Sequence, residues 1–287
     1  MGLLVAAGVA APGLAWAQPA DLYYERTVMT AADARCGLFA PEISAALAAG
    51  TAQARGAALR AGASSDALRD VERAARAKAS VAGCTSPEIA AAAARVKAAY
   101  SGYARVTRLT YAGDVAGWRA DRNLSRDARW RLAQETGFGP DRLTFGLAGQ
   151  GGVDALVAVA RFADDAEPYA ARLVLRDAAR SGEPYLDRWG GGSTAGLPLA
   201  RRLPPRSALK AFGAQARSPA GAELLPKDAR GGWSFRFPEA AAAELARLDP
   251  REAVAVEFLF PGDQVRRAYV EVGDFAAGRA FLQVASR

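Results

Sequence analysis

The side chains able to do chemistry in this chain are few, and their spacing limits what they could do. Ser207-Ala208-Leu209-Lys210 sets a hydroxyl and an amine three positions apart. At a helix start, that spacing lays a lysine one turn from a serine it could activate for acyl transfer. Glu135, in QETGFGP, is a lone carboxylate that could act as general acid in glycan cleavage if burial raised its pKa. In DRWGGGSTAG, residues 187–196, the glycines before Ser193 and Thr194 could fold their N–H groups into a nest for an anion. Cys36, in RCGLFAPEIS, and Cys84, in AGCTSPE, are the two cysteines of the chain.

The chain has no histidine. Ser-His-Asp and Cys-His machinery therefore cannot be built, since both need an imidazole that titrates near neutrality. Zinc sites with histidine ligands are excluded, and two cysteines cannot form a four-thiolate site. Asp164-Asp165 with Glu167 lacks the spaced oxygens and turn glycine of a calcium loop, and reads as solvated. Ser207-x-x-Lys210 resembles the first element of penicillin-binding proteins and serine β-lactamases. The further Ser-x-Asn and Lys-Thr/Ser-Gly elements are missing. Asn123 follows Asp121, not a serine, and Ser207 stands too near the C-terminus to precede them. Its competing reading is an N-cap after Pro204-Pro205. Glu135 with the downstream GLAGQGG resembles the Glu-Ser-Gly and Gly-Leu-Met-Gln elements of lytic transglycosylases. Thr136 replaces the serine, Ala148-Gly149 departs from the second element, and the surroundings read as strands where that family has helices. The glycine loop is not a P-loop, because no lysine precedes Ser193. No catalytic residue, metal ligand or cofactor is assigned.

Compartment decides how the cysteines are read. Leu3 to Leu14 is apolar, broken by Pro12-Gly13, and Ala15-Trp16-Ala17 fits a signal-peptidase site. We expect residues 1–17 to be a signal peptide, although the stretch before the apolar run carries no Lys or Arg. Either the initiator amine serves alone or the coding start lies upstream. A short buried helix is the competing reading. The run is too short to span a bilayer, and no later segment approaches that length. The expected setting is periplasmic or secreted, with no transmembrane span in the mature chain. An oxidising compartment favours a Cys36–Cys84 disulfide. That bond would close a loop of about 48 residues and stabilise the fold by roughly 4 kcal/mol.

Net charge is +7, with four lysines and 33 arginines among the 37 basic residues. One asparagine and two isoleucines in an Ala-, Arg-, Gly- and Pro-rich chain point to GC-rich bacterial coding as the source of the arginines. The basic clusters Arg201-Arg202 with Arg206, and Arg266-Arg267, are candidates for contact with an anionic envelope component rather than nucleic acid. Arg266 and Arg267 sit mid-strand, so they point to opposite sheet faces.

The elements that must position these groups fall into two regions. Residues 18–103 read as a helical domain. Thr30 with Asp33 has capping-box form. Pro41-Glu42 opens a helix running to about Ala61 and stopped by Gly62, with a face of small residues: Ile43, Leu47, Gly50, Ala54, Ala57 and Ala61. Ser64-Ser65 starts the next helix and Thr85-Ser86-Pro87-Glu88 the one after. The helices from Pro41 and Ser65 are expected to be antiparallel neighbours, returning Cys84 to Cys36. Residues 104–287 read as a second, β-rich domain. Its expected strands are ARVTRLTY, RLTFGLAG and VDALVAVARF around Gln150-Gly151-Gly152, YAARLVLRD, WSFRF, and AVAVEFLF with VRRAYVEV. PEAAAAELARL and GDFAAGRAFLQV are expected to be short helices. The fold class is α+β: a disulfide-clamped helical region followed by a mostly antiparallel β-rich region with short helices. We expect an exported, non-enzymatic envelope protein with a binding or structural role toward an envelope component or another envelope protein. The alternative is a histidine-free hydrolase using Glu135, or Ser207 with Lys210.

Overall fold

A computed structural model describes residues 19–182, 185, 186, 194 and 196–284. The expected signal peptide and most of DRWGGGSTAG lie outside the described residues. Four helices come first: α1 (Pro19–Cys36), α2 (Pro41–Arg60), α3 (Ser65–Val81) and α4 (Pro87–Tyr103). Ser64 and Ser86 cap α3 and α4, accepting from the N–H of Ala67 and Ile89. Gly62 ends α2 at φ +101°, with Ala63 N–H bonded back to Ala58 O.

The capping-box reading of Thr30 and Asp33 is corrected, because both lie inside α1. Thr30 Oγ1 donates to Arg26 O one turn back. Asp33 organises the following turn instead, accepting from Phe39 N–H and from Ser44 Oγ. The helix begins earlier because Tyr23, Thr27, Met29 and Ala32 are buried along it.

The expected pairing of α2 with α3 is also corrected: α1 lies between them. It runs antiparallel to α2, where Arg26 reaches Gly50 O and Asp33 meets Ser44. It runs alongside α3 in the same direction. Tyr23 packs near Leu68, Ala32 near Ala79, and Arg35 bonds Ser80 O. The two helices have 18 and 17 residues, so their C-terminal ends coincide. The Cys36–Cys84 disulfide forms there, with the Cα atoms 5.6 Å apart. The expected bond exists, reached by another geometry.

The described residues after α4 build two antiparallel sheets. One takes β1 (Arg108–Tyr111), β2 (Trp118–Asp121), β3 (Arg129–Phe138), β4 (Asp141–Gln150), β5 (Val153–Arg161), β8 (Ala216–Pro219) and β9 (Trp233–Arg236). Its order is β1-β2-β3-β4-β5-β9-β8. The other takes β6 (Ala170–Arg176), β7 (Leu209–Gly213), β10 (Ala253–Phe260) and β11 (Gln264–Glu271), in the order β11-β10-β6-β7. Between them lies one core, in which Phe145 and Phe235 of the first sheet share a cluster with Val256 and Phe258 of the second. Helices α5 (Glu239–Leu245) and α6 (Phe275–Gln283) close it, with Leu245 and Phe281 buried. Strand β1 is shorter than expected because Ala104 to Val106 continue the end of α4 in tight turns.

Helix α2 faces both regions. One side meets α1; the other meets α6, and Ala52 packs against the sandwich core. Gly56 makes this approach possible, since a Cβ there would lie 2.2 Å from Asp274 Oδ1. Arg60 then forms a two-pronged ion pair with Asp274 at 2.7 and 2.9 Å. Burial pushes the Asp274 carboxyl up, against the opposing pull of Arg60.

Candidate functional site

The residues singled out by chemistry are scattered. Glu135 lies on an exposed part of β3 and pairs with Arg119 of β2. Ser207 is exposed in a 3-10 turn, Arg206–Ala208, not at a helix start. Lys210 lies on β7, and its Nζ pairs with Glu244 at 3.1 Å. The helical spacing that would present the lysine to the serine is therefore absent.

The arginine trio also separates. Arg201 and Arg206 are exposed, whereas Arg202 is 1% exposed. Arg202 donates to Leu197 O, to Thr194 O and, at 3.0 Å, to Asp114. It is committed to the interior and unavailable to an external anion. Arg266 and Arg267 do point to opposite faces. Arg266 pairs with Asp141 and Asp164, and Arg267 with Glu257. Burial alone would raise the Glu257 carboxyl, but bonds from Arg172 and Arg267 outweigh it and hold the group low.

Behind Arg202 lies a buried network without any local sequence signature. Glu271, 0% exposed, accepts from the N–H groups of Asp114, Val115 and Ala116 at 2.8, 2.8 and 3.0 Å. Arg202 Nη1 stands 3.9 Å from it. Gln134 bridges Ala116 O and the backbone of Glu271. With its oxygens engaged by donors, Glu271 is a lock on the 112–117 loop, not a base waiting for substrate.

A concave site lies elsewhere, between α1, α2 and α4. Helix α4 is pinned at Ile89 against Ala32 and Ala79, at Ala93 against Met29 and Leu47, and at Tyr100 against Val284. Between the pins, Ala92 and Ala99 are too short to fill the space. A groove of about 490 Å³ results, with Val28, Met29, Leu47, Ile89 and Val96 in its lining. That size falls within the usual range for small-molecule sites.

No protein-family model matches this chain. No curated protein and no solved structure matches it either. The chemistry of the groove must therefore be read from its own residues.

Arg26 is the informative one. It lines the apolar groove, half-buried, and donates to Gly50 O. Among the described residues no carboxylate forms an ion pair with it. Burial lowers its pKa from the ordinary arginine value, while Glu25, which also lines the groove, acts the other way. Arg95 stands exposed at the rim, and Lys78 with Glu88, 3.5 Å apart, are also in the lining. Apolar walls with a desolvated guanidinium suit a ligand that is apolar over most of its length and anionic at one end. The sequence showed the alanine spacing but not the groove, because an alanine stripe packs closely or stands off according to what pins its ends. Among the described residues no helix is long and apolar enough to cross a membrane, and no cluster could hold a metal ion.

Proposed function

We propose that this chain is an exported, non-enzymatic envelope protein that binds an anionic single-chain amphiphile in the α1–α2–α4 groove. The observation that carries the proposal is Arg26, a half-buried cation that forms no ion pair among the described residues and lines a groove with Val28, Met29, Leu47, Ile89 and Val96. A periplasmic or secreted location is supported by the Cys36–Cys84 disulfide, since such bonds persist in oxidising compartments. The apolar run ahead of Ala15-Trp16-Ala17 supports it from sequence. The hydrolase alternative has less support: Glu135 is exposed and held by Arg119, and Lys210 is held by Glu244.

The test is displacement of a fluorescent fatty-acid analogue by palmitate, hexadecyl phosphate and hexadecanol. Both anions should displace the probe, and hexadecanol should do so about tenfold or more less well, as expected for loss of a charge-assisted hydrogen bond. Arg26→Gln should erase the difference between palmitate and hexadecanol while leaving the melting temperature close to that of the parent. If none of the three competes, or if Arg26→Gln leaves the preference for anions intact, the proposal fails.

A further inference from the structure

Strand β11 is the outer strand of its sheet, paired on one side with β10. The phase of that ladder can be read at its end. Val272 N–H donates inward to Glu252 O. Backbone groups alternate sides along a strand, so even-numbered residues of β11 face β10 and odd-numbered residues face away. The opposite side agrees: Gln134 accepts from Glu271 N–H at 2.9 Å and donates to Glu271 O at 3.2 Å. One side chain thus does at residue 271 what a neighbouring strand would do.

Among the described residues, no side chain or strand pairs in this way with Val265, Arg267 and Tyr269, although β3 and the Leu199–Arg201 turn lie beside the strand. Among the described residues, no hydrogen bond reaches their outward N–H and C=O groups. Val265 is 44% exposed. Beside this edge runs a groove of about 960 Å³, lined by Arg267 and Tyr269, by Thr136, Gly137 and Phe138 of the β3–β4 hairpin, and by Leu199. The other sheet edges are less open. Strands β1 and β8 have four residues each, and β8 ends at Pro219. Strand β7 has five residues and turns through Gly213–Gln215 into β8, whereas β11 has eight. Long unprotected edges are the ones that accept added strands.

We propose that β11 is a strand-addition site for an extended segment of a partner protein, pairing with Val265–Tyr269. A row of alternating donors and acceptors is matched by another polypeptide backbone. The edge charges are already met internally, Arg267 by Glu257 and Arg266 by Asp141 and Asp164, so recognition falls to the backbone and to apolar contact with the half-buried Phe138. The segment should be free of proline and should alternate apolar and polar residues. A second copy of this chain fits less well. Gln134 ends the ladder at Glu271, so a two-fold pairing over Val265–Tyr269 sets Arg267 opposite its own copy, and like charges directly opposite are unfavourable.

The test pans a random ten-residue peptide library on the full chain and follows amide hydrogen exchange with the enriched peptides. In the free protein, the amides of Val265, Arg267 and Tyr269 should exchange fast while those of Arg266, Ala268 and Val270 are protected. Bound peptide should protect the first set. Val265→Pro removes one outward donor and spares the inward ladder; it should weaken peptide binding at least tenfold with the even-numbered amides still protected. The proposal is overturned if no peptide is enriched, or if enriched peptides protect another surface. It is also overturned if the outward amides are already protected in the free monomer, or if sedimentation shows a dimer that protects them.

Discussion

Replacing Cys36 and Cys84 together with alanine should lower the unfolding free energy by about 4 kcal/mol, the loop-closure value for this separation. The bond spans 48 positions and joins the aligned ends of α1 and α3. Those helices meet through small side chains such as Ala32 and Ala79, which bury little apolar area, so chain entropy rather than packing sets the balance. Because α2 is shared between the helical region and α6, the loss should appear in one cooperative transition. Urea unfolding of the parent with and without reductant, beside the double variant, measures it. The reduced parent should match the variant, and the variant should ignore reductant. A variant within 1 kcal/mol of the oxidised parent would show that the helical region holds without its clamp.

Glu271→Ala should cost about 3–5 kcal/mol, the usual range when one partner of a buried charged pair is removed. The change strips the partner from three backbone N–H groups, those of Asp114, Val115 and Ala116, and removes a carboxylate 3.9 Å from the buried Arg202. Each orphaned buried donor carries its own desolvation penalty. The contrast is Glu135→Ala, which breaks an exposed pair with Arg119 and should change stability by about 1 kcal/mol or less. Chemical denaturation of the two variants side by side decides it. If they prove equally mild, Glu271 is not the lock that holds the 112–117 loop to β11.

The glutamate with a recognisable motif is thus the surface one, and the glutamate that the fold depends on has no motif. Its partners lie 155 to 157 positions away in the chain. Local patterns report only what neighbours in sequence can do. The same limit explains Arg202, which reads as part of a basic surface cluster but is drawn inward by Asp114. It also explains Thr30 and Asp33, whose capping spacing is overridden by a helix already buried along Tyr23 and Met29.

By itself the sequence determined what depends on local chemistry: helix starts at Ser64 and Ser86, the stop at Gly62, the alternating strands, the lack of imidazole catalysis, and a pair of cysteines with no other partner. Tertiary structure alone decided the rest: α1 as the middle helix, the division of the strands into two sheets, the groove beside Arg26 and the open edge of β11. Periodicity tells which face of a helix or strand is apolar. Which other face covers it depends on close approaches such as Gly56 to Asp274, and those exist only once distant segments have met.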